Sequence, residues 1–380
     1  HLGVTPMKVI APQTYKVFPK LTDSEVRVML AVNNSKCPLN RIVVSDKNEG
    51  AMHALRLIAF KALKKEDRSC RGANFGIYAG PGQGKTHVVK AFAETIEIPC
   101  IMIQSDALET TWQLFEEIQK EFTAQGFPLV PQTSPEHFIV PPCIVFFDEA
   151  HGLPKQLRTC GLLNAMEYND GWLAAVPPKG GTAYMIDCMN VCWIGASTDP
   201  GLIFSQSEAF HSRLGMHLIW NAAGKEEVAR IIRHNHPNMP QVACDLVAHY
   251  QQVPRKAISF ANQMLLEISM MNCTWEEAAA KIAEVNGIDE YGMPSQQLSI
   301  LKALGQRPIA KKNLTIHGKC RIEELERIIL PPLLDEADNR GSLVGITGKG
   351  YAITRAGLKE LDKRGIAHKG DPITFEAISD

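Results

Sequence analysis

At 380 residues, with 45% hydrophobic and 21% charged side chains, the chain has the length of two or three globular domains and is too apolar to be disordered. Forty Lys plus Arg against 41 Asp plus Glu leave a formal net charge of -1 at pH 7, which excludes a whole-chain field for polyanions but not a local basic patch. No apolar stretch approaches the roughly 18 residues of a membrane span, the start HLGVTPMKVIAPQTYKVFPK lacks the order of a signal peptide, and the ten cysteines include no CxxC pair. The expectation is a soluble, cytoplasmic protein with reduced and mostly buried thiols, no membrane contact, no zinc site and no disulfide framework.

Residues 1–48 carry mixed signals, with VRVMLAV and NRIVVSD as helix and strand pieces and no nameable chemistry. From GAMHALRLIAFKALKK (50–65) the apolar residues recur at three- and four-residue steps, which predicts a helix with one buried face. NFGIYAG then reads as a strand, HVVKAFAETI as a helix, PCIMIQ as a strand, LETTWQLFEEIQKEFTAQG as a helix, and CIVFFDEA and VCWIGAST as further strands. Between the last two, WLAAVPPKGGTAYMIDCMNV (172–191) reads as two strands around a Pro/Gly turn. Strands apolar on both faces and alternating with helices predict an α/β fold with a parallel sheet covered on two sides.

From about residue 222 the strand signals stop, and GKEEVARIIRHN, VACDLVAHY, PRKAISFANQMLLEI and TWEEAAAKIAEV predict a helical bundle. A third unit follows from about 288, with helices QQLSILKALG and RIEELERIILPPLLDEA and a glycine-punctuated ribbon, GSLVGITGKGYAIT. The expected division is an N-terminal extension of unknown role (1–45), a parallel-sheet domain (46–221), a helical domain (222–287) and a C-terminal domain (288–370).

The chemistry concentrates in AGPGQGKT, residues 79–86. Glycines at 80, 82 and 84 let backbone N–H groups converge on an anion, Lys85 adds a point charge and Thr86 a hydroxyl for a magnesium ion, all at the head of a helix whose dipole favours phosphate. The candidate ATP-binding residues are therefore Gly80, Pro81, Gly82, Gln83, Gly84, Lys85, Thr86 and His87, with Ala79 standing where the P-loop pattern has glycine. A phosphate cradle also needs carboxylates from a neighbouring strand. CIVFFDEAH supplies Asp148 to hold Mg²⁺ with Thr86, and Glu149 to polarise the attacking water.

These runs, together with NAMEYNDG, WIGASTDPG, FHSRLGMHL and PRKAISFANQMLL, follow one another as they do in AAA+ ATPases. They most closely resemble RuvB-type motors, which drive branch migration of Holliday junctions, and the likeness runs from about residue 45 to 365. The resemblance implies a P-loop AAA+ sheet domain, a helical lid and a winged-helix DNA-binding domain. It makes Thr198, beside Ser197, the residue that senses the γ-phosphate. It makes Arg213, the only Lys or Arg between Lys179 and Lys225, an arginine finger acting on a neighbouring subunit, with His211 where the family usually has a second arginine. Arg255, after Pro254, takes the place of the lid's sensor arginine, and 172–191 that of a hairpin docking a RuvA-like partner. His151 completes the letters DEAH but is given no role.

The whole-chain balance conceals a split. Residues 302–369 hold fourteen Lys plus Arg against eight Asp plus Glu, a net of +6. The ribbon from Arg340 through Lys349 to Arg355 contains no acid, and Tyr351 stands where the family often has another arginine; these four are the candidate DNA contacts. The implied function is a homo-oligomeric ring, a hexamer in the family, that hydrolyses ATP with Mg²⁺ and translocates on duplex and four-way junction DNA in recombination and repair. Two other readings remain open: a helicase loader, clamp-loader-like subunit or transposition ATPase of a phage or mobile element, and a nucleotide-switched DNA-binding regulator with little turnover.

Overall fold

The computed structural model describes residues 18–132, 134–169, 171–198, 208–334, 341–348 and 350–369. The chain divides into two compact units, His1–Ala222 and Ala223–Asp380. The first contains strands β1 (Phe75–Tyr78), β2 (Cys100–Gln104), β3 (His137–Ile139), β4 (Cys143–Asp148), β5 (Trp172–Ala175), β6 (Tyr184–Asp187), β7 (Val191–Ser197) and β8 (Met216–Ile219). Five of them form a parallel sheet in the order β2-β4-β7-β1-β8. Helices α1 (Asp23–Leu30), α2 (Glu49–Leu63), α3 (Lys85–Ile96), α4 (Thr111–Ala124) and α5 (Glu208–Arg213) complete the named elements of this unit.

Side chains alternate across a strand, so each central strand feeds two cores. Ile144 and Phe146 of β4 and Cys192, Ile194 and Ala196 of β7 pack with α2 and α3, whereas Val145, Phe147 and Trp193 pack with α4. Phe146, Phe147 and Trp193 are fully buried, each such aromatic contributing about 1.5–3 kcal/mol. The edge strand β2 departs from the expectation of burial on both faces, and β8, which the sequence did not reveal as a strand, is likewise thinly buried. β2 buries only Ile101 and Ile103, and β8 only Leu218, because each has a neighbour on one side alone.

Several other details differ from the sequence reading. VRVMLAV does form a helix, α1, closed by a capping box between Thr22 and Glu25. NRIVVSD forms no strand: a 3-10 turn, Pro38–Arg41, lays Leu39 on the end of α3, where its N–H donates to Thr95 Oγ1 at 3.2 Å. Val26, Leu30, Leu39 and Ile42 thereby join the core of the sheet domain. The ribbon within 172–191 ends at Asp187 and pairs on its far side with β3, giving a small sheet β3-β6-β5.

The second unit opens with α6 (Lys225–Asn235), α7 (Gln241–Tyr250), α8 (Pro254–Met271) and α9 (Trp275–Val285), packed around Val228, Ile232, Val247, Phe260 and Met264. A second core, including Ile300, Leu314, Leu325, Leu333 and Val344, joins α10 (Ser295–Leu304), α11 (Lys311–Gly318), a helical stretch over 322–334, and the antiparallel ribbon β9 (Val344–Thr347) and β10 (Gly350–Ile353). Helices followed by a two-stranded ribbon are consistent with the expected winged-helix arrangement, and α12 (Arg355–Lys363) follows the ribbon. Arg364, whose side chain is 5% exposed, pairs with Asp289 at 2.6 Å and Glu360 at 2.5 Å, tying the segment after α9 to the end of α12.

Gly350 is fixed by geometry rather than chosen for freedom. Its φ is +117°, and a Cβ there would meet the Ile309 carbonyl oxygen at 2.6 Å, where Ile309 and Tyr351 exchange backbone hydrogen bonds of 2.9 Å. Gly350→Ala is expected to destabilise the second unit by about 1–3 kcal/mol in urea unfolding. Gly348→Ala, with no described atom within 4 Å of its added Cβ, serves as the control and is expected to change little.

Candidate nucleotide site

Three connections leave the carboxyl ends of adjacent strands: the glycine loop after β1, the acidic pair after β4 and Thr198 after β7, with β7 lying between β4 and β1. In open parallel sheets this end is where ligands bind. Gly82 and Gly84 have φ of +76° and +91°, which only glycine adopts without strain, and α3 begins at Lys85. Ala79, by contrast, is not among the residues with positive φ, so the missing first glycine strains nothing there. Its backbone is used twice, its N–H donating to Ser197 O at 3.2 Å and its carbonyl accepting from Lys85 Nζ at 3.1 Å.

Lys85 is only 7% exposed, and its ammonium stands 3.7 Å from Glu149 Oε1. A buried cation at a helix N-terminus, facing a loop whose glycines carry no side chain, fits a phosphate. Thr86, half-buried in the first turn of α3, and Asp148, half-buried at the end of β4, supply the hard oxygen atoms that suit Mg²⁺. Asp148 is steadied through its carbonyl, which accepts from Ser105 Oγ at 2.6 Å. Pro81 and His87 are exposed, and Gly80 and Gln83 are joined by a backbone hydrogen bond of 3.4 Å.

Glu149 occupies the left-handed region, with φ 49° and ψ 54°. For a residue with a side chain this costs about 1 kcal/mol or more and occurs where surroundings hold it. Here Glu149 Oε2 accepts from Thr198 N at 3.1 Å and from Thr198 Oγ1 at 3.0 Å, with His151 Nδ1 at 3.3 Å. Thus Lys85, Glu149 and Thr198, separated in sequence, meet in one cluster. His151, to which the sequence reading gave no role, belongs to it as well.

Arg213 ends α5. Its Nε donates to Glu167 Oε1 at 3.0 Å and its terminal nitrogen reaches the same oxygen, while its carbonyl accepts from Asn74 Nδ2 at 3.4 Å. The partner acid comes from the run NAMEYNDG, a link that lies 46 residues apart in sequence and is invisible to local pattern. The ring of His211 stacks on His217, 3.7 Å between centroids and 3° from parallel, and His217 Nδ1 lies 3.0 Å from Tyr78 OH, whose phenol burial pushes up to about 12. Arg255 is exposed in the first turn of α8. In the ribbon, Tyr351 is half-buried and packs on the core; Arg355, expected in the ribbon, instead begins α12 and is exposed, and Arg340 and Lys349 lie outside the described residues.

Desolvation lowers the pKa of both stacked histidines below the usual 6.5, and for His211 the charge of His217 adds to it. As pH falls through about 6.5 the unfolded chain takes up protons that the folded chain refuses, so this contribution is full above that pH and is lost below it. Unfolding free energy is therefore expected to fall between about pH 7.5 and about pH 5.5, and more steeply for the wild type than for His211→Phe, which cannot protonate. Parallel pH profiles of the two proteins would contradict this account of the stack.

Residues 75–218 match the family model of the ATPase family associated with various cellular activities. No curated protein matches the chain by sequence. Among solved structures, a single-residue variant of Thermotoga maritima RuvB is similar at a TM-score of 0.61 and 19% identity, covering 83% of this chain and 95% of its own. The structure titled Thermotoga maritima RuvB Holliday junction branch migration motor is similar at a TM-score of 0.59 and 18% identity, covering 86% of this chain and 96% of its own. Residues 75–218 thus form an AAA-type domain, and the chain shares its fold with the RuvB structures.

Proposed function

We propose that the chain is an ATP-hydrolysing ring motor that moves along DNA and drives branch migration of four-way junctions. The observation that carries the ATPase part is the convergence of the glycine loop, Lys85, Asp148, Glu149 and Thr198 at one end of the sheet. In this reading the loop N–H groups from Gly80 to Gly84, with Lys85, bind the β- and γ-phosphates, and Thr86 and Asp148 hold Mg²⁺. Held there, the ion would supply positive charge against the phosphates. Glu149 takes the proton of the attacking water and Thr198 keeps its carboxylate aimed. Lys85 gives up Glu149 for phosphate as ATP binds. Arg255 of the lid acts on the same nucleotide.

Arg213 serves a neighbouring subunit. Its pair with Glu167 is a surface ion pair, worth about 0–1 kcal/mol, and yields readily to a phosphate across a subunit boundary. That need for a neighbour makes the working form a ring, a hexamer by analogy with the family. The three-domain division at 222 and 288, DNA contact through Arg340, Lys349, Tyr351 and Arg355, and docking of a RuvA-like partner on the β5–β6 ribbon complete the proposal. Recombination and repair in the cytoplasm would be its setting.

Arg213→Ala should leave nucleotide affinity nearly unchanged while turnover falls about 10³-fold, the scale of a lost arginine finger. Mixed with Lys85→Ala subunits it should regain activity, since one variant supplies a sound cradle and the other a sound finger. Failure of every mixing ratio, with co-assembly verified, would remove the trans role. For DNA, Lys349→Glu should weaken duplex and junction binding alike and make the log–log salt dependence shallower by about one unit. An unchanged slope would take the ribbon out of the DNA interface.

A further inference from the structure

His151 sits in the short turn Ala150–Gly152 directly after the acidic pair, with a side chain 20% exposed. One ring atom, Nδ1, makes both of its described polar contacts in the cluster: Ser197 Oγ at 3.0 Å and Glu149 Oε2 at 3.3 Å. A carboxylate only accepts, so the contact with Glu149 calls for the tautomer with its proton on Nδ1, and the Ser197 hydroxyl, which can accept as well as donate, then shares that proton. Ser197 is fully buried at the last position of β7, whereas the Glu149 side chain is 42% exposed and extends from a left-handed residue beyond the end of β4. The carboxylate is thus the exposed partner of the contact and the strand the buried one.

We propose that His151 is a positioning residue for Glu149, bridging its carboxylate to Ser197 so that the base is aligned by β7 from two sides. Thr198 holds the carboxylate directly and Ser197 holds it through His151. Both residues end the same strand, so the base and the residue facing the γ-phosphate keep one geometry. Without the imidazole, Glu149 Oε2 retains its Thr198 donors but loses lateral restraint, and the carboxylate can turn about them toward Lys85. The inference rests on Glu149 being the water-activating base. It concerns orientation alone: His151 touches neither the glycine loop nor Lys85 in any described contact, so binding of nucleotide is left as it is.

The test uses the full chain and follows steady-state ATP turnover together with affinity for a non-hydrolysable ATP analogue. His151→Ala should lower kcat by roughly 10- to 100-fold, the scale of a misaligned reacting group, with analogue affinity unchanged. An asparagine amide places its nitrogen near the position of Nδ1, whereas a glutamine amide reaches to that of Nε2. His151→Asn should therefore recover most of the turnover and His151→Gln much less, a distinction that a merely structural role would not produce. Ser197→Ala should fall in the same direction, and the double variant His151→Ala with Ser197→Ala should be no slower than the slower single variant.

Unchanged kcat in His151→Ala, equal behaviour of the Asn and Gln variants, or additive losses in the double variant would each overturn the proposal. Glu149→Gln, run alongside, separates the two levels. If it turns over normally, the base assignment itself fails and this inference with it. If it is inactive while His151→Ala is fully active, only the positioning role fails.

Discussion

The parallel pairing of β4 with β7 is the constraint from which the site follows. Its register sets Phe147 beside Gly195, so the chain leaves β4 as Asp148 and Glu149 while β7 runs on to Ser197 and Thr198. Gly195 permits this approach: a Cβ there would stand 3.3 Å from Leu214 and 3.4 Å from the Ala150 side chain. A slip of one residue would exchange the two faces of β4, turning Phe146 and Phe147 toward the wrong cores and carrying Glu149 away from Thr198. Core packing thus enforces the geometry of a polar cluster that contributes little apolar burial of its own.

The same economy links the strand beyond. β1 lies next to β7 and delivers the glycine loop, while β8 on its other side brings His217 against Tyr78 and the preceding helix α5, which carries Arg213. Asn74 joins these parts, accepting from Trp193 N at 3.0 Å and donating to Arg213 O at 3.4 Å. Arg213, just ahead of β8, and the glycine loop, just after β1, therefore flank neighbouring strands of one sheet.

The central strands, the glycine loop, the acidic pair and the lid helices were legible because each is a local pattern: an apolar run, a turn rich in glycine, or a repeat of three and four residues. β3, β8, α11 and α12 were not read. β3 has three residues and β8 a single buried one, too few for a period to emerge. The Ile-Val-Val centre of NRIVVSD satisfies β propensity, yet packing beside α3 overrode the local preference. Within the site, the partners Glu167 of Arg213 and Ser197 of His151 lie 46 residues away in the chain, and only tertiary structure brings them together. Tyr351 shows the converse: its place in the ribbon was legible, but its half-buried ring follows from the backbone exchange with Ile309.

The most direct test of the account is phosphate release from ATP by the purified full-length chain, with Mg²⁺, alone and with duplex or four-way junction DNA. The account predicts magnesium-dependent turnover that junction DNA raises by about tenfold or more, as the proposed ordering of neighbouring subunits on DNA requires. Nucleotide binding with no phosphate release under any of these conditions would contradict it, and would leave a cradle that switches a binding protein rather than driving a motor.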